Sequence, residues 1–115
     1  MLSESILRLR LGADISLQTI AWGETIDLNG VKISLHPAGH IIGSGMVRVE
    51  HKGEVWLITG DYKLENDGIS GQWQPVNCHA MITECTFGLP IYQWRAQELV
   101  YADMRNWVLA NNAAG

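Results

Sequence analysis

The sequence predicts an α+β domain: β-hairpins with a helix at either end, rather than a repeating βαβ array. Three observations carry this. Asn29-Gly30 stands between two short β-type runs, Thr25–Leu28 and Val31–Leu35. Both turn residues tolerate positive φ, which makes this pair the strongest short hairpin signal. A second pair of runs, Met46–Glu50 and Glu54–Thr59, brackets His51-Lys52-Gly53. Helical periodicity is confined to the two ends of the chain.

Residues 2–11 read as a short helix with Ser3 as its cap. Ile6, Leu7 and Leu11 form a partial apolar face, and Gly12 ends it. Leu17–Ile20 is strand-like and is followed by a turn at Gly23-Glu24. In the strand after Asn29-Gly30, Val31, Ile33 and Leu35 face one way. A glycine-rich loop, 37–45, follows. The run Glu54–Thr59 is nearly all apolar, as a strand buried on both faces would be. Residues 62–77 are polar, broken by Gly68, Gly71 and Pro75, and read as a surface loop. Ala80–Thr83 reads as another buried strand. From about Arg95 to Asn111 comes the strongest helix, with Ala96, Leu99, Val100, Met104, Trp107 and Val108 on one face.

The chain has 115 residues, 47% hydrophobic and 17% charged, with a net charge of −4. That suits one globular domain at most, and excludes attraction to nucleic acid by bulk positive charge. Two cysteines are too few for a disulfide scaffold. No run approaches a membrane span, and the N-terminus lacks the pattern of a signal peptide. A cytoplasmic location is expected.

Three residues stand where a strand gives way to a loop. His40 follows Pro37-Ala38-Gly39, and its imidazole suits a divalent metal. Otherwise it is a loop histidine bonded to a neighbour. Asp61 follows Gly60 at the end of an apolar strand. There a carboxylate can bridge metals or cap its own loop. Glu84 closes the strand at 81–83. It is either a rim carboxylate in solvent or a group orienting a metal ligand. Together they have the pattern of a metallohydrolase rim.

Other residues read more simply. His36 reads as structural and His51 as an exposed turn residue. Cys78 and His79 belong to loop-to-strand packing, and Cys85 is a small buried residue. Trp56 and Trp107 are expected in the core. Trp22, Trp73 and Trp94 lie at loops or element ends, with Trp73 and Trp94 the better candidates for base stacking. Arg8, Arg10 and Arg95 read as surface residues.

His-Pro-Ala-Gly-His-Ile-Ile-Gly-Ser at 36–44, Ile-Thr-Gly-Asp-Tyr-Lys at 58–63 and Ile-Thr-Glu-Cys-Thr-Phe-Gly-Leu-Pro at 82–90 resemble the metallo-β-lactamase superfamily. More closely they resemble its β-CASP-related nucleases. Gly-Asp-Tyr-Lys and Thr-Phe-Gly-Leu-Pro are most similar to the bacterial ligase-associated DNA exonucleases, a group also described as mRNA 3′-end processing exonucleases. The resemblance runs from about Ser16 to Ala110. It implies part of an αββα sandwich and two divalent metals, zinc by expectation. It also implies a phosphodiester hydrolase of DNA repair or RNA processing, with DNA or RNA as substrate and a DNA ligase or helicase as partner. By the same resemblance His40 is a metal ligand and Asp61 bridges the two metals. Glu84 positions a later histidine. Ser44 and Lys63 receive no role.

Such enzymes carry a His-x-His-x-Asp-His cluster before the Ala-Gly-His motif and further histidines after the Glu motif. Here no histidine precedes His36 and none follows His79. Residues 1–115 are therefore expected to form a partial domain that binds no metal tightly, is inactive alone, and is marginally stable or self-associating unless a complement is present. The alternatives are an interaction module of the same fold without catalysis, and a hydrolase of the superfamily that is not a nuclease.

Overall fold

The computed structural model describes residues 2–112. The chain divides into two compact units, 1–84 and 85–115. The first holds α1 (Leu2–Leu11) and five strands: β1 (Thr25–Leu28), β2 (Val31–Pro37), β3 (Gly45–His51), β4 (Glu54–Ile58) and β5 (Ala80–Ile82). They form one sheet in the order β1-β2-β3-β4-β5. The second holds α2 (Gln97–Asn112). One sheet and two helices make the expected α+β layout, consistent with part of a metallo-β-lactamase fold.

Both predicted hairpins form. Asn29 and Gly30 have φ of 55° and 84°, and Lys52 and Gly53 have 50° and 83°. Two consecutive positive-φ residues match the right-handed twist of the flanking strands. Asp27 reinforces the first turn by accepting a 2.8 Å hydrogen bond from the Gly30 amide. The two turns set the registers Ile26↔Ile33 and Val49↔Trp56. β4 and β5 run parallel, with Trp56 opposite Ala80 and Ile58 opposite Ile82. Their connection, 59–79, contains no helix.

Register divides the side chains between two faces, because paired residues point the same way. One face carries Ser34, His36, Met46, Arg48, Val55 and Leu57. It is the covered one: Met46 and Leu57 join Ala38 in the core, with Tyr62, Trp73, Val76 and Cys78 packed against them. The polar segment 62–78 is thus a cover over the sheet as well as a surface loop, and its few apolar residues do the covering. Trp73, expected as a candidate for base stacking, is one of them. Cys78 packs as the sequence suggests. His79 closes the cover by hydrogen bonding through both its amide and its Nδ1 to the Val55 backbone, at 2.8 and 3.0 Å.

The other face carries Ile26, Val31, Ile33, Leu35, Val47, Val49, Trp56, Ile58, Ala80 and Ile82. These side chains are half-buried or exposed. β4 is therefore buried on one face only, and Trp56 is 43% exposed rather than in the core. β5 is an exposed edge strand, with Met81 and Ile82 both more than half accessible. Several other expectations also change. Leu17–Ile20 is irregular, having no strand to pair with. Ser3 lies inside α1, which begins at Leu2. Its C-terminus is sealed by Gly12, at φ 111°, and by the Arg8 guanidinium donating to the Ala13 carbonyl at 2.9 Å.

In the second unit, Phe87 makes edge-on ring contacts with Tyr92 and Trp94, each at 5.1 Å. Arg95 pairs with Asp103 at 2.8 Å. No residue of α2 is buried, and Trp107 is 68% exposed rather than in the core. Cys85 is exposed too, where burial was expected. Amphipathic spacing identified the helix correctly, but spacing cannot show whether an apolar face finds cover.

On the covered face, Ser34 is 3% exposed, and its hydroxyl hydrogen bonds to His36 Nε2 at 3.1 Å. Arg48 donates to Glu50 at 2.6 Å, and Lys32 lies 4.0 Å from the same carboxylate. Burial, then the Arg48 charge, push the His36 imidazole below its ordinary pKa of 6.5. The unfolded chain therefore takes up a proton at His36 before the fold does. Stability should be complete above about pH 7 and should fall as the pH drops through 6.5 toward the lowered value. Urea midpoints taken across that window should slope downward toward acid, and His36→Gln should remove most of the slope.

Candidate metal centre

β2, β4 and β5 all run toward the same end of the sheet, since β2 and β4 are each antiparallel to β3 and β5 is parallel to β4. The segments that follow them carry His40, Asp61 and Glu84. Topology thus delivers all three predicted residues to one rim, the usual place for a site in a sheet with parallel strands.

Two of the three come together. His40 Nε2 lies 3.8 Å from Asp61 Oδ2, with both side chains open to solvent. Ligands about 2.0–2.2 Å from a metal lie roughly 3–4 Å apart. The pair therefore fits two neighbouring positions on a single ion, and an imidazole with a carboxylate is a suitable donor set for zinc. Among the described residues, no group of three or more His, Cys, Asp or Glu could hold a metal. Glu84 is half-buried just past β5 and is not part of a three-residue cluster.

The loop that presents His40 is built with few parts. Ser44, given no role from sequence, organises it. Its hydroxyl accepts from the His40 and Ile41 amides at 3.2 and 3.1 Å and donates to the Ile41 carbonyl at 2.9 Å. Its own carbonyl accepts from the Ala38 amide at 3.1 Å, closing the loop at its base. A hydroxyl four residues after a Gly-His pair was the available signal, because serine readily bonds nearby backbone. Gly39 has φ 71°, and a Cβ there would lie 2.6 Å from the Lys63 carbonyl and 3.2 Å from the Trp73 amide. The Lys63 amide donates to the Ala38 carbonyl at 3.0 Å. The segment carrying Asp61 is thereby tied to the segment carrying His40.

At the other strand pair, the Thr59 amide bonds to the Ile82 carbonyl at 3.0 Å, and the Thr59 hydroxyl reaches Thr83 at 3.3 Å. The ends of β4 and β5 are joined just before Asp61 and Glu84. Beyond Asp61, the Asp67 carboxylate accepts from the Ser70 and Ile69 amides at 2.8 and 2.9 Å and from the Ser70 hydroxyl at 2.7 Å. Those bonds, with Lys63 at 3.9 Å adding a smaller effect, hold Asp67 well below the usual carboxylate range. Asp67 and Ser70, with His40, Ile41, Ile42 and Ile69, line a shallow depression beside the pair. His36 stays on the sheet, its Nε2 3.1 Å from the Ser34 hydroxyl, and His51 is exposed, its Nδ1 3.2 Å from the Gly30 carbonyl.

No family model matches the chain. Curated proteins do. The endoribonuclease YSH1 of Saccharomyces cerevisiae is 35% identical over 81 residues, covering 69% of this chain and 10% of that protein. The protein of the same name from Schizosaccharomyces pombe is 30% identical over 104 residues, covering 84% of this chain and 14% of its own length. The cleavage and polyadenylation specificity factor 73 of Drosophila melanogaster is 32% identical over 81 residues, 69% of this chain and 12% of that protein. The chain spans about a tenth of the length of the curated relatives it matches. Most of this chain is thus similar to a short stretch of long proteins named for RNA cleavage.

The close packing at Gly39 can be separated from its positive φ. Gly68 has nearly the same φ, 74°, but open space around it. Alanine at Gly68 should cost about 1 kcal/mol for the left-handed backbone alone. Gly39→Ala should cost more, roughly 2–3 kcal/mol, because the Lys63 carbonyl must also move. Denaturant titration of the two variants measures the difference.

Proposed function

We propose that this segment supplies one histidine and one aspartate to the metal site of a nuclease that cleaves RNA. The observation that carries this is the approach of His40 Nε2 to Asp61 Oδ2 at 3.8 Å on the sheet rim. The relatives support the substrate class, since their names specify endoribonuclease and a cleavage and polyadenylation factor. A divalent metal held there would polarise the phosphodiester and activate water. His40 and Asp61 would hold that metal together with ligands from outside residues 1–115. Glu84 acts as a positioning residue for a ligand or proton donor outside these residues. Ser44 and Gly39 keep the His40 loop in place.

The catalytic unit in this reading is larger than residues 1–115, because two side chains fall short of the three protein ligands usual at a catalytic zinc. Residues 1–115 then form a partial metallo-β-lactamase domain. The finer reading of the resemblance, an exonuclease of DNA repair working with a ligase or helicase, has no support in the relatives' names, which point to RNA and to internal cleavage. Among the described residues, no helix is long and apolar enough to cross a membrane.

Two measurements test the proposal. Zinc titrated calorimetrically into residues 1–115 should bind more weakly than about 1 μM, because three ligands are not available. A tighter site abolished by His40→Ala would contradict the two-residue reading. In a longer protein containing this segment, internally labelled RNA should be cut in the presence of divalent metal. Asp61→Asn and His40→Ala should each lower the rate by at least about 100-fold. Full activity in both variants would remove these residues from the site, and products shortened one nucleotide at a time would restore the exonuclease reading.

A further inference from the structure

Among the described residues, four glycines would bring an added side chain against another group, and three of them stand at 39, 43 and 45. Gly39 is crowded by the Lys63 carbonyl and by Trp73, which packs on the covered face of the sheet. The other two meet residues that precede the sheet in sequence. A Cβ at Gly43 would run into the Ser3 hydroxyl and lie 3.4 Å from Ser3 Cβ. One at Gly45 would lie 2.9 Å from the Trp22 ring. Gly45 opposes Pro37 at the rim end of β2 and β3, so Trp22 stands over the uncovered face there. The glycines of this loop thus mark places where other segments close on it.

The segment that carries Ser3 and Trp22 is itself fastened. The Gly23 amide donates to the Leu35 carbonyl at 2.8 Å, which ties the Trp22 turn to β2. The Glu24 carboxylate accepts from the Ala21 amide at 2.7 Å and closes that turn. Arg8 on α1 donates to the Ala13 and Ile15 carbonyls at 2.9 and 3.3 Å and to Glu4 at 3.1 Å. The path from α1 to β2 is therefore bonded at both of its ends.

We propose that α1 braces the candidate metal loop and that Ser3 is a positioning residue for His40. This role rests on the reading of His40 and Asp61 as metal ligands. Gly43 directly precedes Ser44, whose hydroxyl accepts the His40 and Ile41 amides at 3.2 and 3.1 Å. A shift of Gly43 moves Ser44, and with it His40. The Lys63 amide holds the base of the loop at Ala38 but does not reach Gly43. Ser3 supplies the stop there, and glycine at 43 lets the loop come up against it.

A double-variant cycle on residues 1–115 tests the brace. Amide exchange followed by NMR should be at least about fivefold faster at His40 and Ile41 in Gly43→Ala. Ser3→Ala removes the colliding oxygen and leaves its Cβ at an ordinary contact distance, while the positive φ of residue 43 is unchanged. Added to Gly43→Ala, it should slow exchange again by at least about threefold, which isolates the contact from backbone strain. Zinc binding, followed on the His40 imidazole proton signals, gives the second readout. Its Kd should rise at least about threefold in Gly43→Ala and fall again in the double variant. If Gly43→Ala unfolds, Ser3→Leu presses on the same contact from α1 and should give the same two changes. Unaltered exchange in Gly43→Ala overturns the brace, as does a defect that Ser3→Ala fails to relieve. Faster exchange with unaltered zinc affinity overturns Ser3 as a positioning residue. His40 signals in the parent chain that ignore zinc up to about 1 mM overturn the metal reading and the positioning role with it, while the exchange cycle still decides the contact.

Discussion

Gly39 passes the Lys63 carbonyl so closely that a side chain would not fit between them, and the rest of the site depends on that approach. The Lys63 amide bonds back to Ala38, so the segments after β2 and β4 are joined by a backbone hydrogen bond at the point of closest approach. β2 and β4 are not neighbours in the sheet; β3 lies between them. The rim contact therefore spans a whole strand, and it does so where Pro37-Ala38-Gly39 keeps the chain thin. His40 sits one residue beyond the contact, and Asp61 sits two residues before Lys63. Main-chain geometry thus sets how closely the backbones of His40 and Asp61 approach, and so brings their side chains within reach of each other.

A second constraint acts through Ser44. It accepts two amide protons and returns its own to a carbonyl, so that a glycine-rich loop holds one conformation without a hydrophobic core of its own. Asp67 does a similar job further along, bonding three donors of its own turn. Both are short side chains satisfying local backbone. The segments around the rim are thus self-supporting, and the candidate ligands themselves make few of the bonds that position them.

These arrangements explain what the sequence disclosed. The turns were legible because Asn29-Gly30 and Lys52-Gly53 need backbone angles that few residues accept. The rim residues were legible because each follows an apolar run directly, and strand direction then places them together. Burial was less legible. Val31, Ile33 and Leu35 alternate as core residues would, yet the most buried side chain of β2 is Ser34 on the opposite face. Alternation states which residues share a face; it does not state which face meets a partner. The covering segment escaped notice because Trp73, Val76 and Cys78 are scattered through polar sequence. Trp107 failed for the same reason as Trp56, since apolar spacing is satisfied equally by a covered face and a bare one.

The sheet is also unequal from end to end. Both two-residue turns, Asn29-Gly30 and Lys52-Gly53, close it at the end away from His40, while the connections at the rim run 38–44 and 59–79. The short turns set strand register without help from the rim. Residues there can be exchanged or the connections lengthened, and the β1–β2 and β3–β4 pairings, Ile26–Ile33 and Val49–Trp56, would still be specified from below. Candidate chemistry and the register of the two hairpins are therefore assigned to opposite ends of the same strands, so a lineage could alter what the rim binds while inheriting both hairpins unchanged.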